Sequence, residues 1–260
     1  MNDLRIIQIY ILDEVVNILE KNNLEYWLDS GTLLGAKRHE GFIPWDDDID
    51  ISVHIDDYKK IVDILVKELP SDLKLYNNGE DALDTDLAPI KIFYLNSVVQ
   101  DLHTSTNTHI FIDLFVYSPV NPKYINSRRA NLMRYLYILK SNRMLRSFKG
   151  IKKYLYIFLR SIISKRFIEK ISNKIREKNA INDYLAYDPI CWYPVVYHHK
   201  SEIYPLKKMK FEGKYYNVPN DVDSFLARKY GNDFMKLPPV EKRVGNHIAG
   251  YKITKFPTEK

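Results

Sequence analysis

The chain has 260 residues and a mass of 30.8 kDa, with 45% apolar and 28% charged residues, which is the composition of a globular protein and excludes a disordered or collagen-like chain. A single cysteine, Cys191, excludes an internal disulfide and reads as a small buried hydrophobe in a reducing compartment. The net charge of +6 is unevenly spread: residues 126–178 hold 16 Lys or Arg against two acids, Glu169 and Glu177, so the rest of the chain is acidic.

In chain order, Leu4, Ile7, Ile11, Val15, Ile18 and Leu19 follow helical spacing, and Asn22 with Asn23 closes a first helix of about five turns. Asp3, Asp13 and Glu14 break the order of a signal peptide, so no export is expected. Glu25–Asp29 reads as a short strand, and Ser30–Gly35 as a tight turn leading into a helix. A helix over Asp57–Leu69 is stopped by Pro70. Leu73–Tyr76, Ile90–Leu95, Val98–His103 and His109–Val116 read as strands. Ser127–Asn179 is helical in pattern, with basic residues opposite apolar stripes. Near the C-terminus, a strand pair around Phe211–Val218 precedes a helix over Asp221–Tyr230. No stretch of roughly 18 uncharged apolar residues exists, which argues against a membrane-spanning helix. The expectation is an α+β protein with a catalytic core at 1–125, a basic helical insertion at 126–180 and a completing segment at 181–260.

The chemistry concentrates in Trp45-Asp46-Asp47-Asp48-Ile49-Asp50-Ile51-Ser52-Val53. Its period of two places Asp48 and Asp50 on one face of a strand, roughly 6.5–7 Å apart, near enough to ligate a divalent ion or a pair of ions. Hard carboxylate oxygens suit Mg²⁺, with Mn²⁺ as a substitute. Four aspartates in five positions repel one another and are poor strand formers, so a ligand is their better explanation than folding. A calcium loop does not fit, because its glycine position is Ile51 and its closing glutamate is Asp57. Asp113 is the only acid in the apolar strand His109–Val116 and completes a candidate triad. Asp29-Ser30-Gly31-Thr32-Leu33-Leu34-Gly35-Ala36-Lys37-Arg38 offers amides and hydroxyls at a helix start for phosphate oxygens. Ser30, Gly31, Thr32 and Arg38 are therefore candidate substrate contacts, as is Lys91, in a strand neighbouring that of Asp113. His198, His199 and His247 lack a cysteine or carboxylate at zinc-ligand spacing.

Together, a Ser-Gly-Thr turn and a following Asp-x-Asp strand form the nucleotidyltransferase pattern. Trp27-Leu28-Asp29-Ser30-Gly31-Thr32-Leu33-Leu34-Gly35, Arg38-His39 and Gly41–Asp50 closely resemble the LicD family, whose animal relatives are the fukutin-related proteins. The resemblance extends to Ile112-Asp113-Leu114-Phe115, Tyr230-Gly231-Asn232-Asp233 and Leu237-Pro238-Pro239. Other members often have Gly-Gly where this chain has Ser30-Gly31, a change the pattern tolerates. The resemblance implies a nucleotidyltransferase-fold mixed sheet flanked by helices, with Asp48, Asp50 and Asp113 as metal ligands and catalytic residues. It also implies transfer of phosphocholine or a polyol phosphate from a CDP-activated donor to a hydroxyl of a cell-surface glycan.

Two rival classes remain at this level: an enzyme attaching a whole nucleotide with the same triad, and an inactive scaffold for glycan assembly. Residues 126–178 fit an anionic membrane surface, a groove for an anionic acceptor, or a solvated face. The first is favoured because cationic faces beside Tyr, Phe, Leu and Ile stripes suit an anionic leaflet, where lipid-linked glycans are assembled. The expected location is cytoplasmic, peripheral on the inner face of the membrane, and no nucleic-acid module is recognisable.

Overall fold

The computed structural model describes residues 3–77, 90–101, 107–125, 127–128, 131–132, 135–136, 150–162, 164, 166–167, 170, 183–187, 196–245 and 248–257. The chain divides into two compact units, Met1–Tyr76, Ile90–Phe115 and Ser201–Lys260 forming the first, and Asn77–Pro89 with Val116–Lys200 the second. The fold is α+β, with helices about a mixed, curled sheet.

The first unit begins with α1 (Asp3–Lys21), whose acidic first turn and basic last turn complement the helix dipole. The spacing of Ile7, Ile11, Leu12, Val15 and Leu19 turns one stripe inward, and all five are fully buried. Its polar edge has another task. Arg5 Nη2 donates to the carbonyls of Ile43 and Pro44, both at 2.9 Å, and Gln8 Nε2 donates to the carbonyl of Asp47 at 2.7 Å. The helix thereby holds the backbone of the acidic loop.

After β1 (Trp27–Leu28) the chain enters α2 (Ser30–His39) directly. This corrects the expectation of a turn over Ser30–Gly35. Gly31 and Gly35 both lie inside the helix, and their role is close approach. A Cβ on Gly31 would collide with the Asp46 carboxylate, and one on Gly35 would stand 2.5 Å from the carbonyl oxygen of Gly41. The strained residue is Ser30, at φ 47°.

β2 (Asp50–His54) pairs antiparallel with β1, and α3 (Tyr58–Glu68) and β3 (Leu73–Asn77) follow. β4 (Ile90–Asp101) is one strand where two were expected, Ile90–Leu95 and Val98–His103. A register slip between Tyr94 and Val99 interrupts the alternation. At the slip, Ser97 Oγ donates to the Tyr94 carbonyl at 2.6 Å and accepts the Ile110 amide at 2.9 Å, so the bulge keeps its buried polar groups paired. β5 (Asn107–Val120) extends beyond the expected His109–Val116 at both ends.

Within the first unit the sheet order is β1-β2-β5-β4, with the late strand β10 (Ile248–Ile253, numbered below in chain order) on the far side of β4. Ile90, Ile92 and Tyr94 of β4 pair with Leu114, Ile112 and Ile110 of β5 on the buried apolar face. The intervening residues, Lys91 and Phe93 with Asp113 and Phe111, share the other face.

In the second unit, α4 (Ile151–Ile162) is the longest described helix. β6 (Tyr184–Tyr187) pairs with residues 117–120 of β5 and with β7 (Tyr197–His199). Val120 and Ala186 form a small core with Tyr184 and Tyr197 packed on it. Most of the helical reading of Ser127–Asn179 lies outside the described residues.

The first unit resumes with the hairpin β8 (Lys207–Phe211) and β9 (Lys214–Val218), then α5 (Val222–Tyr230). Asp221 caps α5 by accepting the Ser224 amide at 3.0 Å. Lys37 of α2 pairs with Asp223 of α5 at 2.9 Å, tying the two helices at their exposed edge.

Candidate active site

The alternation of β2 and β5 turns Asp50 and Asp113 to one side of the sheet, while Ile51 and Ile112 point into the core. The Asp113 amide donates to the Ile49 carbonyl at 2.8 Å, which brings the loop before β2 against β5. Asp48 lies just ahead of the strand, yet one carboxylate oxygen from each of Asp48, Asp50 and Asp113 comes within 4.8 Å of the others. The three residues are only 9, 7 and 7% exposed. Three buried carboxylates at this separation repel strongly. Burial, then the charges of Asp48 and Asp113, hold the Asp50 carboxyl well above the ordinary carboxylate range, against the opposing pull of Lys229.

The backbone of Asp50 is fixed on both sides by the start of α2. Its amide donates to Thr32 Oγ1 at 2.9 Å, and its carbonyl accepts the Asp29 amide at 3.1 Å. Asp29 is itself 1% exposed. Its Oδ2 accepts the Ser52 hydroxyl at 2.6 Å, and its Oδ1 accepts the Ser30 amide and the Lys229 ammonium at 2.7 Å. Burial alone would raise its pKa; Lys229, Ser52 and the Ser30 amide together outweigh this and hold it low. Lys229 also donates to Ser30 Oγ at 2.6 Å, which clamps the strained first residue of α2.

Lys91 stands directly opposite Asp113 in the β4–β5 register and donates to its Oδ1 at 2.7 Å. Its ammonium also lies 3.7 Å from the centre of the Phe111 ring, so two contacts fix one side chain. Arg38 Nη1 donates to the carbonyls of Phe234 at 3.0 Å and Lys236 at 3.4 Å, and thereby holds the segment after α5. Of the remaining acids, Asp47 Oδ2 accepts the amide of Ile248 at the start of β10, and Asp46 packs on Gly31. Asp46, Asp47 and Asp48 also form a second group of neighbouring carboxylates.

The structure thus brings Asp48, Asp50, Asp113 and Lys91 into one cluster, with the α2 start of Ser30, Gly31 and Thr32 behind Asp50. The Ser30 and Thr32 hydroxyls make hydrogen bonds inside the protein, and Arg38 reaches a neighbouring loop. Sequence reading did not single out Asp29, Ser52, Lys229 or Tyr230 as site residues. The Tyr230 pKa is pushed well up by burial of its hydroxyl, then by the charges of Asp50, Asp29, Asp46 and Asp48. Asp29 and Tyr230 do lie in the quoted motifs, but nothing in a linear pattern joins residues 29 and 229.

Comparison with known proteins gives the family. Residues 23–142 match the family described as LicD/FKTN/FKRP, nucleotidyltransferase domain. The chain is 30% identical over 267 residues to the lipopolysaccharide cholinephosphotransferase LicD of Haemophilus influenzae, covering 95% of this chain and 96% of that protein. It is 31% identical over 110 residues to the mouse ribitol 5-phosphate transferase FKRP, covering 41% of this chain and 19% of that protein. The mouse ribitol-5-phosphate transferase FKTN is 33% identical over 75 residues, 28% of this chain and 16% of that protein.

Proposed function

The chain belongs to the LicD family of phosphotransferases, and from that premise we propose that it moves a phospho-alcohol group, phosphocholine or a polyol phosphate, from a CDP-activated donor to a hydroxyl of a cell-surface glycan. The observation that carries this reading is the buried triad of Asp48, Asp50 and Asp113, with carboxylate oxygens within 4.8 Å of one another. Folding gains nothing from that repulsion, whereas a hard divalent cation offsets it. The donor set is all oxygen and close-spaced, and it fits Mg²⁺ or Mn²⁺ held by these three residues. Such an ion, when bound, supplies charge neutralisation at the diphosphate.

The protein's own residues do the rest. Thr32 and Asp29 hold the Asp50 backbone, so its carboxylate is positioned before substrate arrives. Lys91 keeps Asp113 oriented and contributes positive charge beside the transferring phosphoryl group. Asp113 accepts the proton of the attacking hydroxyl, and CMP leaves from the opposite side. The start of α2, with Ser30 and Gly31, faces the donor phosphates. Trp45 carries the Arg243 guanidinium 5.4 Å from its ring centre. We take the acceptor to be lipid-linked and met at the cytoplasmic face of a membrane.

A panel of CDP-activated donors with Mg²⁺, read as nucleotide release, tests the reading. CMP release that requires both metal and an acceptor glycan supports it. Pyrophosphate release would instead assign nucleotide attachment, and an Asp48→Ala/Asp50→Ala protein with near wild-type metal-dependent transfer would sink the mechanism.

A further inference from the structure

Helix α4 is amphipathic in the reverse sense to a helix that packs on its own protein. Ile151, Tyr154, Leu155, Phe158 and Ile162 are spaced by three and four residues and so lie on one face. They are 85, 74, 59, 60 and 64% exposed, while Tyr156, on the opposite side, is 4% exposed. An amphipathic helix ordinarily buries its apolar arc. Here that arc forms a patch on the order of 600 Å², at or above the largest patch an isolated soluble protein usually shows.

We propose that this face of α4 docks on an anionic lipid surface, the helix lying in the plane of the headgroups with its aromatic and aliphatic side chains inserted. Charge decides the occupant. The segment 151–162 has no acid, includes Lys152, Lys153 and Arg160, and sits within residues 126–178 with their 16 basic residues against two acids. Lys153 is exposed on the side of the helix away from the apolar face. A second copy of the chain would bring the same positive charge to the contact, whereas anionic headgroups complement it. Twelve residues span about 18 Å as a helix, too short to cross a bilayer but suited to lying in one. No helix among the described residues is long and apolar enough to cross a membrane.

The test is sedimentation of the full-length protein with vesicles at low salt, without donor or metal, so that a failed transferase reading leaves this result independent. Phosphatidylglycerol-containing vesicles are expected to bind at least about tenfold more tightly than pure phosphatidylcholine vesicles, with binding weakened as salt rises. Leu155→Glu/Phe158→Glu, both at exposed positions, is expected to lose about tenfold or more in vesicle affinity with an unchanged circular dichroism spectrum. Equal binding by wild type and this variant would overturn the proposal, as would indifference of the wild type to lipid charge. Sedimentation equilibrium without lipid decides the rival occupant: a wild-type dimer that the double substitution dissociates would assign the face to self-association instead.

Discussion

Replacing Lys229 with methionine removes a charge from a buried pair while keeping most of the side-chain volume. The partner, Asp29, is 1% exposed, and the Lys229 side chain 24%. At 2.7 Å and an effective dielectric of about 20, the attraction is about 6 kcal/mol before desolvation. Removing one partner of a buried pair costs about 3–5 kcal/mol, because the other charge is left uncompensated. Asp29 keeps its hydrogen bonds from Ser52 and Ser30, so the expected loss is about 3 kcal/mol, or about 6–10 °C in Tm for a chain of this size. The pH dependence has a definite sign. Asp29 has a lowered pKa in the folded protein, so its stabilisation is present above the unfolded carboxylate value of about 3.9 and is lost as pH falls through the lower folded value. Without Lys229, burial raises that pKa and makes the ionised carboxylate a cost. Wild type and Lys229→Met should therefore differ most at neutral pH, differ less as pH falls towards about 4, where the variant's penalty is lost, and converge only below it as Asp29 of the wild type is protonated. Urea unfolding across that range measures the effect, and Lys229→Met/Asp29→Asn should recover much of the loss. A single variant within about 1 kcal/mol of wild type at pH 7, or a double variant no more stable than the single one, would refute the reasoning.

Asp50 behaves in the opposite direction: its raised folded pKa means that stability falls as pH rises above about 4 towards the folded value. In chelator, Asp50→Asn should flatten that dependence and raise stability by about 1–2 kcal/mol, while abolishing transfer; thermal melts across pH check it. Gly35→Ala should cost about 2–3 kcal/mol, because the added methyl meets the backbone carbonyl of Gly41. Gly31→Ala meets only the end of the Asp46 side chain and should cost about 1 kcal/mol, a ranking that denaturant midpoints can reverse. Thr32→Val removes the acceptor of the buried Asp50 amide. It should cost about 1–3 kcal/mol and lower the transfer rate; an unchanged rate would show that this hydrogen bond does not position Asp50.

Much of the architecture was legible from local pattern. The buried stripe of α1, the polar and apolar alternation of β2 and the lone acid of β5 each follow from a period set by backbone geometry, so Asp48, Asp50 and Asp113 could be named together. Local reading failed where a long-range contact decided the conformation. The glycines of α2 resembled turn residues, but Gly31 and Gly35 serve the approach of Asp46 and Gly41 to a helix. The break in alternation within residues 90–103 resembled a gap between strands, but Ser97 bonds the adjoining strand and carries β4 through a bulge.

The sequence by itself determined which residues share a face, because side-chain direction follows from the two-residue and 3.6-residue periods. It therefore determined the face of Asp50 in β2, that of Asp113 in β5 and the buried stripe of α1. Only the tertiary structure decided how those carboxylates are held. The Asp29–Lys229 pair, the two hydrogen bonds that fix the Asp50 backbone, and the Lys91–Asp113 register join residues 18 to 200 positions apart. Burial makes each of these contacts strong, and burial is a property of the packed whole rather than of any segment.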